Sequence, residues 1–160
     1  MFGLEGYTLL HIAISLLAIA SGFVVVGGFL ADARLTLANH IYLSASVATN
    51  VTGLLFPFQQ LLPSHIVAII ALAVLAVAIY AFYFAKLANV WRSIYVLSAT
   101  AALYLNVFVL VAQTFAKNPA LVALAPTQSD FPFTLTQLLT LGAFLVLGYF
   151  AWARFNRTPS

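Results

Sequence analysis

Apolar residues fill five long stretches, 7–30, 41–58, 66–85, 94–115 and 135–153, and the charged residues gather in the short segments between them. Each stretch is close to the ~17–25 residues that a helix needs to cross a hydrocarbon core of ~30 Å. Inside lipid every backbone N–H and C=O must be satisfied internally, which leaves helices or closed barrels. Unbroken apolar runs without period-two alternation select helices. The pattern predicts an all-α integral membrane protein, a single bundle of five transmembrane helices covering 1–160. The connections are too short to hold a soluble catalytic domain.

Composition agrees with this reading. The chain is 64% hydrophobic and 6% charged, with a mean hydropathy of +1.10, and so few charges cannot build the shell of a soluble domain. A net charge of +3 from so few residues reads as membrane topology rather than as a nucleic-acid face. The absence of cysteine excludes disulfides, thiolate nucleophiles, iron–sulfur clusters and thiolate metal sites. A lone methionine excludes a methionine copper relay.

Arg34, Lys86, Arg92, Arg154 and Arg157 fall on one set of alternate connections, and Lys117 alone falls on the other. The positive-inside rule then places the N-terminus outside and the C-terminus in the cytoplasm of a multi-pass protein, expected in a bacterial inner membrane. Trp91, Tyr95 and Trp152 sit where an inner aromatic belt would lie, and Tyr7 at the outer one. Ala31-Asp32-Ala33 has the small-x-small look of a signal-peptide cleavage site. No Lys or Arg precedes the first apolar run, however, and that run exceeds the ~7–15 residues of an h-region, so it is expected to be a retained helix.

Pro57 should end the second span, and Pro63-Ser64 should open the third, with Ser64 as an N-cap. The short connection at 86–92 predicts an antiparallel hairpin. The longest connection, 116–133, carries Pro119, Pro126 and Pro132 yet stays apolar. It is expected to fold over the outer mouth of the bundle as a short interfacial helix and an extended Pro-rich segment.

Polar groups inside a membrane are expensive and therefore informative. His11, Ser15, Ala18 and Gly22 share one face of the first helix, either as a cofactor groove or as a small-residue packing seam. Ser46, Asn50 and Gly53 make a similar face on the second helix, with His40 at its cytoplasmic entrance, where water can satisfy it. His65 opens the third helix, Asn106 and Gln113 lie seven apart on the fourth, and Gln137 begins the fifth; Gln59 and Gln60 lie in the outer loop. His11, His65, Asn106, Gln113 and Gln137 therefore fall in the outer half, which predicts an outward-facing site formed by these five. Bis-histidine ligation needs imidazoles at similar depth on facing helices, a condition that His11 and His65 meet as a metal pair and that His11 and His40, at opposite ends, do not. Zinc would want further ligands, and Glu5 and Asp130 are the nearest carboxylates in sequence.

The His11-x-x-x-Ser15 and Gly22 pattern, His40-x-Tyr42 and the turn Trp91-Arg92-Ser93-Ile94-Tyr95 resemble small bacterial integral membrane domains distantly similar to cytochrome b-type four-helix membrane proteins. The resemblance covers about residues 9–115 and implies one haem b or a quinone as cofactor. Two haems would require two histidine pairs, and the fourth helix has no histidine. Two functions stand at this point. One is a membrane redox or quinone-associated protein with its site framed by His11 and His65. The other is a non-catalytic accessory or assembly subunit whose spans pack against a larger membrane complex or a second copy. No charged residue lies deep in a span to form an ion path, and no nucleophile–base pairing suggests hydrolysis.

Overall fold

The computed structural model describes residues 3–57 and 63–156. Among the described residues all regular structure is helical: α1 (Leu4–Leu30), α2 (Thr36–Leu54), α3 (Pro63–Ile79) with a π-helical turn at Tyr80–Phe84, α4 (Val90–Lys117), a short α5 (Pro119–Leu124) and α6 (Phe131–Phe155). Four helical segments are long and apolar enough to cross a membrane, the signature of a multi-pass membrane protein: Leu4–Leu30, Pro63–Phe84, Val90–Lys117 and Phe131–Phe155.

α2 is not among the four, so four of the five expected spans meet this measure. Length is not the obstacle, because 19 residues rise about 28 Å. Polarity is: Thr36, Asn39, His40, Ser44, Ser46, Thr49, Asn50 and Thr52 replace the aliphatic residues that fill α1 and α3. The helix turns a mixed face of Asn39, Tyr42, Leu43, Ser46 and Asn50 into the bundle, where neighbouring helices can satisfy its polar groups. Helix boundaries also shift. α1 starts three residues before the predicted first span, and Pro63 is the first residue of α3, which puts Ser64 inside the helix rather than at its cap. The expected Gln59 and Gln60 positions, and Arg157, lie outside the described residues.

α1 to α4 form a ring in which each helix packs on the next and α4 returns to α1; α6 lies outside it against α4 and α1. α2 and α4 face each other across the ring and are joined by side-chain hydrogen bonds. The Tyr42 hydroxyl donates to the Ala99 carbonyl at 2.7 Å, and the Tyr95 hydroxyl donates to Asn39 Oδ1. Further along, Asn106 Nδ2 donates to Ser46 Oγ at 3.2 Å, and Asn50 Nδ2 donates to Asn106 Oδ1 at 3.3 Å. Buried amides paired in this way avoid the penalty of an unsatisfied polar group in a low-dielectric interior.

The two halves of the bundle are packed differently. Val25, Phe29, Tyr42, Leu43, Leu75, Tyr95, Val96, Leu103 and Phe155 are all essentially inaccessible and make a continuous core towards the Arg34 end. Gly22 marks the upper edge of this dense zone. A Cβ there would sit 2.6 Å from Leu103 Cδ1 and 2.8 Å from Tyr42 Cε2, so α1 reaches α2 and α4 only because no side chain intervenes. Beyond Gly22, towards the Lys117 end, the ring opens.

The α3–α4 connection is a tight hairpin turn, as the short spacing at 86–92 requires. The Ala85 N–H donates to the Tyr80 carbonyl and Leu87 N–H to Ala81, which widens the last helical turn. Lys86, Leu87 and Asn89 then adopt φ of 52°, 58° and 50°, left-handed values that are costly for residues with a Cβ. Burial of Leu87 anchors the turn. Around it, Arg92 lies 4.4 Å above the Phe155 ring and 3.8 Å from Asp32, and Arg34 lies 5.6 Å above Phe82. At the opposite end, the 118–130 connection is locally closed. Asn118 Oδ1 accepts from the Ala120 N–H at the start of α5, and Asp130 Oδ2 accepts from the Thr127 N–H at 2.6 Å.

Candidate functional site

The open half of the ring contains a cavity of about 520 Å³, a volume in the range of small-molecule sites. α1 contributes Thr8, His11 and Ser15, α2 contributes Thr49, Asn50 and Gly53, α3 contributes Ser64 and His65, and α4 contributes Asn106, Gln113, Thr114 and Lys117. Antiparallel alternation explains why residues so distant in sequence meet. The start of α1, the end of α2, the start of α3 and the end of α4 all lie at one end of the ring. On both α1 and α4 the lining runs over twelve positions, Thr8 to Ile19 and Asn106 to Lys117, and the eleven steps between them amount to a depth of about 16 Å at 1.5 Å per residue.

The structure thus brings together four of the five residues singled out from the sequence: His11, His65, Asn106 and Gln113. Gln137 does not join them. It is buried in the α4–α6 contact, where its Nε2 donates to the Phe108 carbonyl at 3.1 Å. α6 docks on the face of α4 turned away from the cavity, so Gln137 shares the depth of the site without sharing its wall. The 116–133 segment also differs from expectation. Apart from Lys117, none of its residues lines the cavity. α5 buries no residue, and it leans on α4 with Leu124 exposed, so it stands beside the mouth instead of covering it.

The polar floor of the cavity is the Asn50–Asn106–Ser46 cluster described above. Higher up, His11 is the most defined group. Its Nδ1 lies 2.8 Å from Thr52 Oγ1, whose own hydroxyl hydrogen is directed to the Ala48 carbonyl at 2.7 Å. With that hydrogen committed, the Thr52 oxygen accepts and His11 Nδ1 must be the protonated nitrogen. The other nitrogen, Nε2, then carries a lone pair. Phe56 packs edge-on against the imidazole at 5.2 Å between centroids, and the same ring meets Tyr7 at 4.8 Å. The Tyr7 hydroxyl donates to the Thr52 carbonyl at 2.7 Å. Tyr7, Phe56 and Thr52 therefore hold the His11 ring in place from the side and from behind, as supporting groups do at a ligand site.

The small-residue face of α1 divides at this level. His11 and Ser15 line the cavity, with the Ser15 hydroxyl donating to the His11 carbonyl at 2.7 Å. Ala18 and Gly22, one and two turns further on, are buried in helix packing. The expected packing seam is the lower half of this face, and its upper half lines the cavity.

Two residues at the cavity, one in its wall and one behind His11, carry no signal in the sequence. Thr52 fixes the tautomer of His11, and Thr49 presents a buried hydroxyl with no hydrogen-bond partner among the described residues. A threonine in an apolar helix is common because it can bond back to its own backbone, so only the fold distinguishes these two. Spacing offers one hint, since Thr49 and Thr52 flank the already notable Asn50 and Gly53.

His40 belongs elsewhere. It is exposed at the Arg34 end, with Nδ1 2.5 Å from the Tyr83 hydroxyl and its ring against Phe82. His11 and His65 are the two histidines of the cavity, and no group of three or more His, Cys, Asp or Glu side chains gathers among the described residues. The donor set fits a ligand held by hydrogen bonds, or a metal group needing only two protein ligands; it does not fit zinc. Comparison of the chain with protein families, curated proteins and solved structures gave no match.

Proposed function

We propose that this protein binds a lipid-soluble quinone in the open half of its bundle, as part of membrane redox chemistry. The observation that carries the proposal is the cavity, in which a histidine of fixed tautomer stands among hydroxyl and amide groups from four helices. A quinone ring is flat and largely apolar and has oxygens at opposite edges. It needs hydrogen-bond donors in the oxidised form and an acceptor for the hydroxyl of the reduced form. Gln113, Ser64 and the unpartnered Thr49 hydroxyl are the donors, and His11 Nε2 is the acceptor. Lys117 at the mouth adds positive charge that favours electron-rich forms of the ring.

In this reading α2, although more polar than the others, crosses the membrane within the ring as a fifth span. The five-to-one distribution of basic residues supports a cavity on the outer side of a bacterial inner membrane, with the solid half towards the cytoplasm. The same His11 Nε2 also suits one axial position of a haem b, with His65 supplying the other, and an absorption spectrum separates the two cofactors. An accessory subunit that serves only as a packing partner, in a larger complex or with a second copy, has no need of a hollow interior. Empty volume and unpaired hydroxyls both lower stability.

The test is a titration of the protein in lipid nanodiscs with a benzoquinone bearing a decyl chain, followed by calorimetry. One saturable site is expected, and His11→Ala and Gln113→Ala should each weaken it by about tenfold, the equivalent of one good hydrogen bond. His40→Ala should leave it unchanged. Absence of saturable binding to the parent protein would overturn the proposal.

A further inference from the structure

The cavity has an opening in its side as well as a mouth. Ile12 and Leu16 of α1 and Leu110 of α4 line it, yet they are 43%, 52% and 39% exposed. On the α1 surface Leu16 lies at the border between two faces. One is the cavity face of His11, Ser15 and Ile19, and the other is the fully apolar outer face of Leu9, Ala13, Leu17 and Ala20. α1 and α4 are in tight contact at Gly22 and Leu103. α6 bridges them at that depth and further towards the Arg34 end, where Phe144 meets Phe23 and Tyr104 and Phe155 meets Phe29. Above this point the two helices are flanked by aliphatic side chains that face lipid on one side and the cavity on the other.

The geometry points to a lateral entrance between α1 and α4, through which the ligand arrives from the bilayer and through which its apolar tail continues to protrude when the ring is bound. The inference rests on the quinone reading and extends it to a class of ligand: a ring whose hydrocarbon tail is too long for the cavity. Three features support it. The exposed lining of α1 and α4 at this level, Ile12, Leu16 and Leu110, is aliphatic, whereas the polar His11, Ser15 and Asn106 of the same helices are half-buried or buried. A span of about 16 Å of cavity depth gives a ring room but leaves a long isoprenoid or alkyl chain no place inside. A tail left in the membrane at the level of Leu16 remains in apolar surroundings and loses nothing on binding.

The chain lends itself to a plug experiment. Leu16→Trp should fill the slot from α1, and Leu110→Trp should fill it from α4, so that misfolding of one variant leaves the other. Leu17→Trp, next to Leu16 but outside the cavity lining and equally exposed, is the control. Each protein is titrated in nanodiscs with two probes, the decyl benzoquinone and the same ring without a chain. Leu16→Trp and Leu110→Trp should weaken the decyl probe at least tenfold and change the tail-less probe by less than twofold. Leu17→Trp should alter neither. Unchanged decyl binding in both slot variants overturns the lateral entrance while leaving the quinone site intact. Equal loss of both probes also overturns it, because Leu16 and Leu110 would then be ring contacts. Failure of the parent protein to bind either probe removes the quinone reading and the entrance with it.

Discussion

Replacing Gly22 with alanine measures how tightly the solid half of the bundle is closed, and hence whether the cavity above it is a bounded space. The added methyl would lie 2.6 Å from Leu103 Cδ1 and 2.8 Å from Tyr42 Cε2, both well inside van der Waals contact. Neither neighbour can step aside easily. Leu103 is fully buried, and Tyr42 is held by its hydrogen bond to the Ala99 carbonyl. Overpacking of this kind costs about 1–3 kcal/mol. Alanine also gains up to about 1 kcal/mol of helix propensity over glycine, so the comparison must be made with a glycine that has space around it. Gly142 on α6 would have no atom within 4 Å of an added methyl, and its replacement gains the same propensity without the clash. The difference between Gly22→Ala and Gly142→Ala should therefore be about 1–3 kcal/mol, with Gly22→Ala the less stable. Reversible denaturant unfolding in mixed micelles, read by helical circular dichroism, measures it. Equal stability of the two variants would mean that α1 and α4 are not in contact at Gly22, and the floor of the cavity would be misplaced.

Three further outcomes follow from the site. Thr52→Val removes the acceptor of the His11 Nδ1 proton, which should cost about 1–3 kcal/mol of stability; nitrogen-15 chemical shifts of the imidazole should show mixed tautomers where the parent shows one. Thr49→Val removes a buried hydroxyl without a partner and should leave the ligand-free protein as stable or more stable, while weakening the decyl benzoquinone severalfold in the nanodisc titration. Reporter fusions after Arg34 and after Arg157 should both report cytoplasm, and a periplasmic signal at either would reverse the orientation proposed for the cavity.

Helix content and the depth of the polar groups are legible in the sequence because membrane helices are long, apolar and antiparallel. His11, His65, Asn106 and Gln113 lie in the half of their helices towards one end of the bundle, and alternation of direction brings those halves together. Depth alone does not say which way a side chain points around the axis, which is why Gln137 reads as part of the cavity wall and does not line it. Its position depends on α6 docking behind α4, and nothing in the α6 sequence marks that face. The 116–133 segment departs from expectation for a related reason. Its apolarity requires a partner or lipid, but α5 rests against α4 beside the mouth, so hydrophobicity dictates the need for contact without dictating its place. α2 illustrates the opposite limit: eight polar side chains lower its apolarity below that of its neighbours, although its buried face is part of the ring. The π-helical turn at Tyr80–Phe84 has no sequence mark either, since it arises from closing a tight hairpin over three left-handed residues.

The central claim is that the cavity holds a quinone, and the most direct measurement is what the protein carries out of its own membrane. Protein purified in mild detergent is extracted with organic solvent, and the extract is read by ultraviolet spectroscopy and mass spectrometry before and after borohydride reduction. The account predicts a long-chain quinone approaching one per protein, with the oxidised band disappearing on reduction, and its loss from His11→Ala carried through the same purification. A Soret band in the intact protein with no quinone in the extract would assign the cavity to haem, and an extract containing neither would contradict the account.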